Sequence, residues 1–353
     1  MRAAIIFIIS LVFLGPTGVS WGADQDDSQS TVGTERKQEQ KAARPLTALS
    51  DKGAISAGPE WRLVVEPSFE YDHISSQNVA LSGFTIFESI LIGQVVVERI
   101  KRDIYIPAMT LRLGYKDAEL SVKVPYFFRT DTAVFPPPGG SGTIVQKGFS
   151  DSDIGDLQPY FYYHAIREGQ WRSWVPDTIL RVGMNFPTGR DPFNLKREDV
   201  PGLGLVPSQF PTGTGIWGTT AGATFVKSAD PAILFLSLAY FYNFERNVGF
   251  AGTPPIDYGT IKLGNSFEYN LGFILALQEK FSVNFAINQR VTSKTTRNGV
   301  NLADTSINAI TFNIGATYVV NPRFSLDFLV GIGLTPDAPD ASLLVRMPMT
   351  FLF

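Results

Sequence analysis

The chain of 353 residues contains no cysteine. That excludes disulfides, thiol chemistry, a cysteine-held metal cluster and a lipid anchor on cysteine, and it suits passage through an oxidising compartment. Histidine is nearly as scarce, with only His73 and His164. There is no H-E-x-x-H pair, no G-x-S-x-G elbow and no phosphate-cradling glycine loop, so zinc hydrolases, serine hydrolases and nucleotide-driven pumps lack their sequence marks. Charged residues make up only 18% and the net charge is −3, which leaves no basic footprint for nucleic acid. No enzyme, no cofactor, no metal and no nucleic-acid partner is expected. Long apolar runs are missing too. Hydrophobic residues reach 44%, yet beyond the N-terminus no run approaches the ~20 residues of a membrane helix. A chain that is apolar on average but never continuously so must alternate.

The exception at the N-terminus is Arg2 followed by the apolar run Ala3–Leu14 and then Gly15 and Pro16. A run of twelve residues, apolar except for Ser10, is too short to span a bilayer, and the pattern is that of a secretory signal. Cleavage after Ser20 places Gly18 and Ser20 at the small-residue positions; cleavage after Gly22 also fits. Residues 1–22 are expected to be this signal. Residues 23–59 are polar and poor in aromatics, which predicts a flexible periplasmic leader. Residues 60–353 carry the fold.

From Trp61 onward the pattern has period two. Phe281, Val283, Phe285 and Ile287 share one face and Ser282, Asn284, Asn288 and Arg290 the other. Phe267, Tyr269, Leu271 and Phe273 stand opposite Ser266, Glu268, Asn270 and Gly272 in the same way. Twelve such segments are predicted: Trp61–Asp72, Ile104–Lys116, Ala118–Arg129, Ile154–Ile166, Asp177–Pro187, Gly215–Lys227, Ala232–Phe244, Gly264–Leu277, Phe281–Val291, Ile307–Val320, Phe324–Leu334 and Ser342–Phe353. Most reach the roughly 9–11 residues of a tilted membrane strand, whereas strands of soluble proteins run to about 5–6. The connections alternate short and long, as in outer-membrane barrels with short periplasmic turns and long outer loops.

The expected fold is therefore all-β: a transmembrane antiparallel up-and-down β-barrel of about 12 strands in the cell outer membrane, with both termini periplasmic. Phe84–Val97 is open between a strand extension, a loop helix and a further strand pair. The final residue, Phe353, closes an outward set of Leu343, Val345, Met347, Met349 and Phe351, which fits recognition by the barrel assembly machinery. The loop Phe135–Gly142, rich in proline and glycine, is expected outside the cell, either as an ordinary loop or folded inward as a constriction.

In such a barrel the outward side chains meet lipid, with Trp61, Tyr71, Tyr240, Tyr242 and Tyr318 as candidates for the interfacial belts. An arginine or lysine facing midplane lipid costs about 2–4 kcal/mol, so charges of the other parity must face the lumen. They are Arg62, Glu66, Glu70, Arg112, Lys116, Glu119, Lys123, Arg181, Glu268, Arg290, Asp327 and Arg346. Such groups either pair with one another and stiffen the barrel or select solutes. A barrel of about 12 strands lies between those filled by side chains and open porins, which favours a narrow or substrate-specific route.

Four stretches carry a resemblance: Leu111-Arg-Leu-Gly-Tyr115 leading to Val124-Pro-Tyr126; Asp153-Ile-Gly-Asp156; Val182-Gly-Met-Asn-Phe-Pro-Thr-Gly189; and Lys227-Ser-Ala-Asp-Pro231 ahead of the strand containing Tyr240. In this order and spacing the chain resembles the outer-membrane transporters of the meta-pathway of phenol degradation. The resemblance implies a barrel that passes small organic, often aromatic, compounds by facilitated diffusion, through the lumen or between strands. Its expected partners are a small-molecule solute and outer-membrane lipid. It supplies no binding residues to carry over. Pro187-Thr-Gly189 is expected to shape the rim, since proline ends a ladder. Two other readings stay open. One is an outer-membrane lipid hydrolase using His73 and Ser75, with Gln77 or Asn78 orienting the imidazole. The other is a structural barrel with a blocked lumen.

Overall fold

The computed structural model describes residues 58–75, 78–81, 84–87, 99–135, 145–200 and 204–353. The expected signal and the leader up to residue 57 lie outside the described residues, as do 88–98 and the proline-glycine loop at 136–144. The described chain is all strand and turn, with no helix. Its barrel strands are β1 (Gly58–Ile74), β2 (Arg99–Lys116), β3 (Ala118–Phe135), β4 (Val145–Ile154 continued by Gln158–Ile166), β5 (Asp177–Asn185), β6 (Gly218–Ala229), β7 (Ala232–Asn243), β8 (Ser266–Gln278), β9 (Phe281–Thr292), β10 (Ile307–Asn321), β11 (Phe324–Gly333) and β12 (Ala341–Arg346 continued by Met349–Leu352). Each pairs antiparallel with its sequence neighbour. The sheet closes where β12 meets β1, with Tyr71 opposite Leu343 and Leu63 opposite Phe351. The result is a closed twelve-stranded up-and-down barrel. Closure satisfies the backbone without water, which hydrocarbon demands.

The side chains follow the pleat. Along β2, Arg102, Ile104, Ile106, Thr110 and Arg112 are buried, while Tyr105, Met109, Leu111, Leu113 and Tyr115 are exposed. Around the wall Leu120, Val182, Leu234, Leu271, Ile314 and Val330 all face out. An exterior this apolar with an interior this charged is the inverse of a water-soluble sandwich, and fits a barrel whose surroundings are lipid. Aromatics gather near the strand ends, where rings suit the membrane interface. Trp61 stacks on Tyr115 at 4.7 Å near the short turns, and Tyr71 lies 5.1 Å from Tyr105 towards the long loops. Tyr240 and Tyr318 are exposed as well, while Tyr242 packs against Phe244.

The short turns join β2–β3, β6–β7, β8–β9 and β10–β11, and the open ends of β1 and β12 lie at the same end of the barrel. At the opposite end β1, β2 and β3, of 17, 18 and 18 residues, run past the length a bilayer requires. Sequence alternation stops at Ile104 and Arg129, because the polar residues beyond them look like loop. Those charges satisfy one another instead. Arg102 and Arg129 both bind the Asp131 carboxylate, the former with Nη2 at 2.9 Å, so the ladder continues to Phe135.

The long loops build small sheets of their own. Asn78–Leu81 pairs with Phe84–Phe87, which makes the first part of the open 84–97 region a strand pair. Glu245–Asn247, Thr260–Lys262, Thr296–Arg297 and Val300–Asn301 form a four-stranded sheet that ties the β7–β8 loop to the β9–β10 loop. Beneath and around it lies an apolar cluster of Phe193, Ile216, Tyr258, Ile261, Leu263, Ile307, Ala309 and Ala338. These residues come from the β5–β6, β7–β8 and β11–β12 connections and from the start of β10.

Candidate functional site

The interior encloses a cavity of about 290 Å³. Eight of the charged residues placed in the lumen by parity line it: Glu70, Arg112, Lys123, Arg181, Glu268, Arg290, Asp327 and Arg346. Glu66, Arg62 and Glu119 are also buried in the interior but lie beside this cavity rather than on it. Lys116 departs from its parity: it sits exposed in the β2–β3 turn at φ 51°, where a sharp reversal places its ammonium over the Tyr115 ring instead of the lumen.

Most of these charges are paired. Arg112 Nη2 binds both oxygens of Glu66 at 3.0 and 3.2 Å. Glu268 and Arg290 are direct cross-strand partners on β8 and β9, and the guanidinium donates to Glu268 Oε2 at 2.6 and 3.0 Å. Arg290 also lies over the Phe241 ring, 4.5 Å from its centre. Asp327 and Arg346 face each other across β11 and β12 at 3.8 Å. Arg62 binds Glu119 at 2.7 Å, and Gly114 leaves the space that this pair occupies. Buried charges of opposite sign pair because an isolated one costs several kcal/mol to desolvate. Among the described residues Arg181 makes no such pair.

The interior is not uniformly polar, which departs from the polar inward set expected from parity. Ile74, Ile104, Ile106 and Phe127 form one inward apolar patch and Val226, Phe235, Ile274 and Ala286 another. Tyr160 and Tyr162 face inward from β4 and pack with Ile179. The run Pro159–Tyr163 places rings on both faces of β4, so simple alternation of apolar and polar residues conceals the inward pair. Phe235, Phe241, Tyr160 and Tyr162 line the same cavity as the charges, and Ala309 joins the cavity to the apolar loop cluster above it.

The motifs Asp153-Ile-Gly-Asp156 and Pro187-Thr-Gly189 meet in space. The β4 ladder breaks at 155–157, and the Asp156 carboxylate, 1% exposed, takes the place of a strand partner. It accepts hydrogen bonds from Asn185 Nδ2 (2.8 Å), Gly189 N (3.0 Å), Thr214 N (2.8 Å) and Thr214 Oγ1 (2.8 Å). Gly189 and Gly213 approach so closely that a Cβ on Gly189 would lie 2.8 Å from the Gly213 backbone. Beyond the break, Val145–Ile154 pairs only with β3 among the described strands. Its other edge meets the β5–β6 loop through side chains: Thr212 Oγ1 donates to the Ile154 carbonyl at 2.6 Å, and Arg190 binds Asp151 and Asp153. Composition offers no signal for this hub, since its parts are dispersed from 156 to 214.

Among the described residues His73 and Ser75 have different partners and no hydrogen bond joins them. His73 Nδ1 lies 2.8 Å from Asp103 Oδ1, and the Tyr71 hydroxyl donates to the same oxygen at 2.7 Å. The Ser75 hydroxyl donates to Asp340, away from the imidazole. Gln77 lies outside the described residues, and Asn78 belongs to the first loop hairpin. His164, on the inward face near the short turns, lies 3.3 Å from Asp177.

No family model matches the chain. Among solved structures, an outer membrane channel from Pseudomonas putida F1 aligns with a TM-score of 0.57 at 15% identity, over 85% of this chain and 98% of that one. The translocator domain of the autotransporter NalP from Neisseria meningitidis aligns at 0.44 and 10% identity, over 88% and 94% of the two chains. The toluene transporter TodX of P. putida gives 0.41 and 8%, over 88% and 93%. The first of these likenesses places the chain in the fold class of outer-membrane β-barrels.

Proposed function

We propose that the protein is an outer-membrane channel for small apolar or aromatic organic compounds, working by facilitated diffusion. The observation that carries this reading is the cavity of about 290 Å³ inside a closed barrel, walled by aromatic rings as well as charges. An apolar cavity of about 150 Å³ is enough to hold benzene, so a single-ring compound with substituents fits. The inward apolar patches give such a compound contacts that a purely ionic lumen would deny it. The resemblance to transporters of the meta-pathway of phenol degradation points to the same class of solute. In this reading the short turns, both termini and Phe353 face the periplasm, where the barrel assembly machinery engages the last strand, and the leader precedes the barrel there once the signal is removed. The break in β4 gives a sideways route a place: beyond residues 155–157 the wall is closed by a loop rather than a ladder.

The test is conductance of the purified, heat-modifiable protein in planar bilayers, paired with uptake of labelled phenol into proteoliposomes. Steady channel events and phenol uptake above protein-free vesicles are expected. A folded barrel that neither conducts nor speeds phenol entry would overturn the proposal in favour of a blocked structural barrel.

A further inference from the structure

The cavity holds five basic side chains, and three of them are neutralised at hydrogen-bonding or ion-pair distance: Arg112 by Glu66, Arg290 by Glu268 and Arg346 by Asp327. A fourth, Lys123, stands within electrostatic range of Asp72. Arg181 differs. It is buried to 9% exposure, and among the described residues it makes no ion pair and its Nε has no hydrogen-bond partner. The register explains why. Its cross-strand neighbours are Tyr162 on β4 and Gly222 on β6, neither of which is acidic. The next acid along that row, Glu119 opposite Tyr162, is held by Arg62. Glu70 and Asp72 stand on β1, four strands round the wall.

A guanidinium brings five N–H donors in a planar fork that matches a carboxylate, and burying it unpaired is costly. The surroundings keep it presented to the cavity. Gly222 faces it, and a Cβ there would lie 2.9 Å from Arg181 Nε, so the chain lies against the wall and does not cross the lumen. Gly183 does the same for Tyr160, whose ring occupies the space a side chain would need. The Tyr160 and Tyr162 rings, 6.1 Å apart, sit directly beside the guanidinium on the next strand.

We propose that Arg181, flanked by Tyr160 and Tyr162, is a binding site for the carboxylate of a small aromatic acid. The guanidinium takes the carboxylate by two parallel hydrogen bonds, and the tyrosines offer the aromatic contact. As a statement about what crosses the membrane, this rests on the channel reading; as a binding site it does not.

The experiment is calorimetric titration of the purified barrel with benzoate, with benzyl alcohol and inorganic phosphate as probes lacking the charge and the ring. Benzoate is expected to bind wild type more tightly than either. Arg181→Leu should weaken benzoate by about tenfold or more while leaving benzyl alcohol unchanged. Arg181→Lys, which keeps the charge but loses the fork, should fall between. Heat-modifiable migration confirms folding of each variant, and Arg181→Gln serves if the leucine variant does not fold. Benzoate binding that is absent in wild type, or equal in wild type and the Arg181 variants, would overturn the site. Phosphate binding as tightly as benzoate would overturn the aromatic part. Bilayer conductance measured in parallel separates the two readings. A silent barrel that still binds benzoate through Arg181 defeats the channel alone, and a conducting barrel without Arg181-dependent binding defeats the site alone.

Discussion

At the scale of single residues, the strongest local dependence is on Asp156. Its carboxylate gathers two backbone N–H groups, an amide and a hydroxyl from Asn185, Gly189 and Thr214. These donors lie in a segment with little ladder of its own, so no strand partner can replace the acceptor. Removing it strands buried donors, each at a cost of about 1–3 kcal/mol. Asp156→Ala is expected to lower the temperature of the heat-modifiable transition and to expose Lys196 and Arg197, in the loop it anchors, to trypsin. Asp156→Asn keeps one acceptor oxygen and should fall between. Trypsin cleavage at the wild-type rate in Asp156→Ala would mean that Arg190, through Asp151 and Asp153, holds the loop without it.

At the scale of elements, the turns are stitched to one another as well as to their strands. The β4–β5 turn bears Glu168, which accepts from Lys227 Nζ at 3.0 Å and from Ser228 N at 3.2 Å, on the neighbouring β6–β7 hairpin. Burial alone would raise the Glu168 carboxyl, but Lys227 and the Ser228 N–H outweigh it and hold the group below its ordinary value. A lowered folded-state value means that the stabilisation is fully present above the unfolded value of about 4.3. It is lost as pH falls through the folded one. Glu168→Gln should therefore melt below wild type at pH 7, and the difference should narrow as the pH is lowered through the carboxylate range; a gap that stays the same size in acid would show that charge is not its source. The same elements show what a sequence makes legible. β8 and β9 stand out because Phe267, Leu271, Phe285 and Ile287 keep a strict alternation against Ser266, Asn270, Asn284 and Asn288. The ends of β2 and β3 do not, because Arg102, Arg129 and Asp131 look like loop until the register brings them together. Parity assigns a charge to a face but not to a partner. Glu268 and Arg290 pair because β8 and β9 are in that register, and Arg181 makes no ion pair among the described residues because its register offers Tyr162 and Gly222.

At the scale of the whole molecule, the barrel combines two kinds of order. Its wall is held by backbone ladders, interrupted at 155–157 in β4, whereas its long-loop end is held by side-chain burial together with small sheets of its own. Phe193 and Ile261, 1% and 0% exposed, come from different loops and meet in one apolar cluster with Tyr258, whose ring lies 5.2 Å from that of Phe193. Fully burying a side chain of this size is worth about 1.5–3 kcal/mol, so a few such residues add to the small loop sheet in holding the loops together. Leu263 and Ala309 belong to this cluster and also line interior cavities, which puts the cluster directly on the way in from the long-loop end. The cross-strand neighbours of Ile261 are Arg246 and Arg297, so a carboxylate there would find a partner, whereas a further cation would be buried against like charge and drive the loops apart. Ile261→Lys, outside the barrel ladder, should leave assembly and heat-modifiable migration intact and increase the size or frequency of conductance steps. Phe193→Ala, which removes bulk without adding charge, should do the same more weakly. If both variants conduct as wild type does, the solute path avoids the long-loop mouth, and the break in β4 beside Asp156 becomes the place where the wall must open.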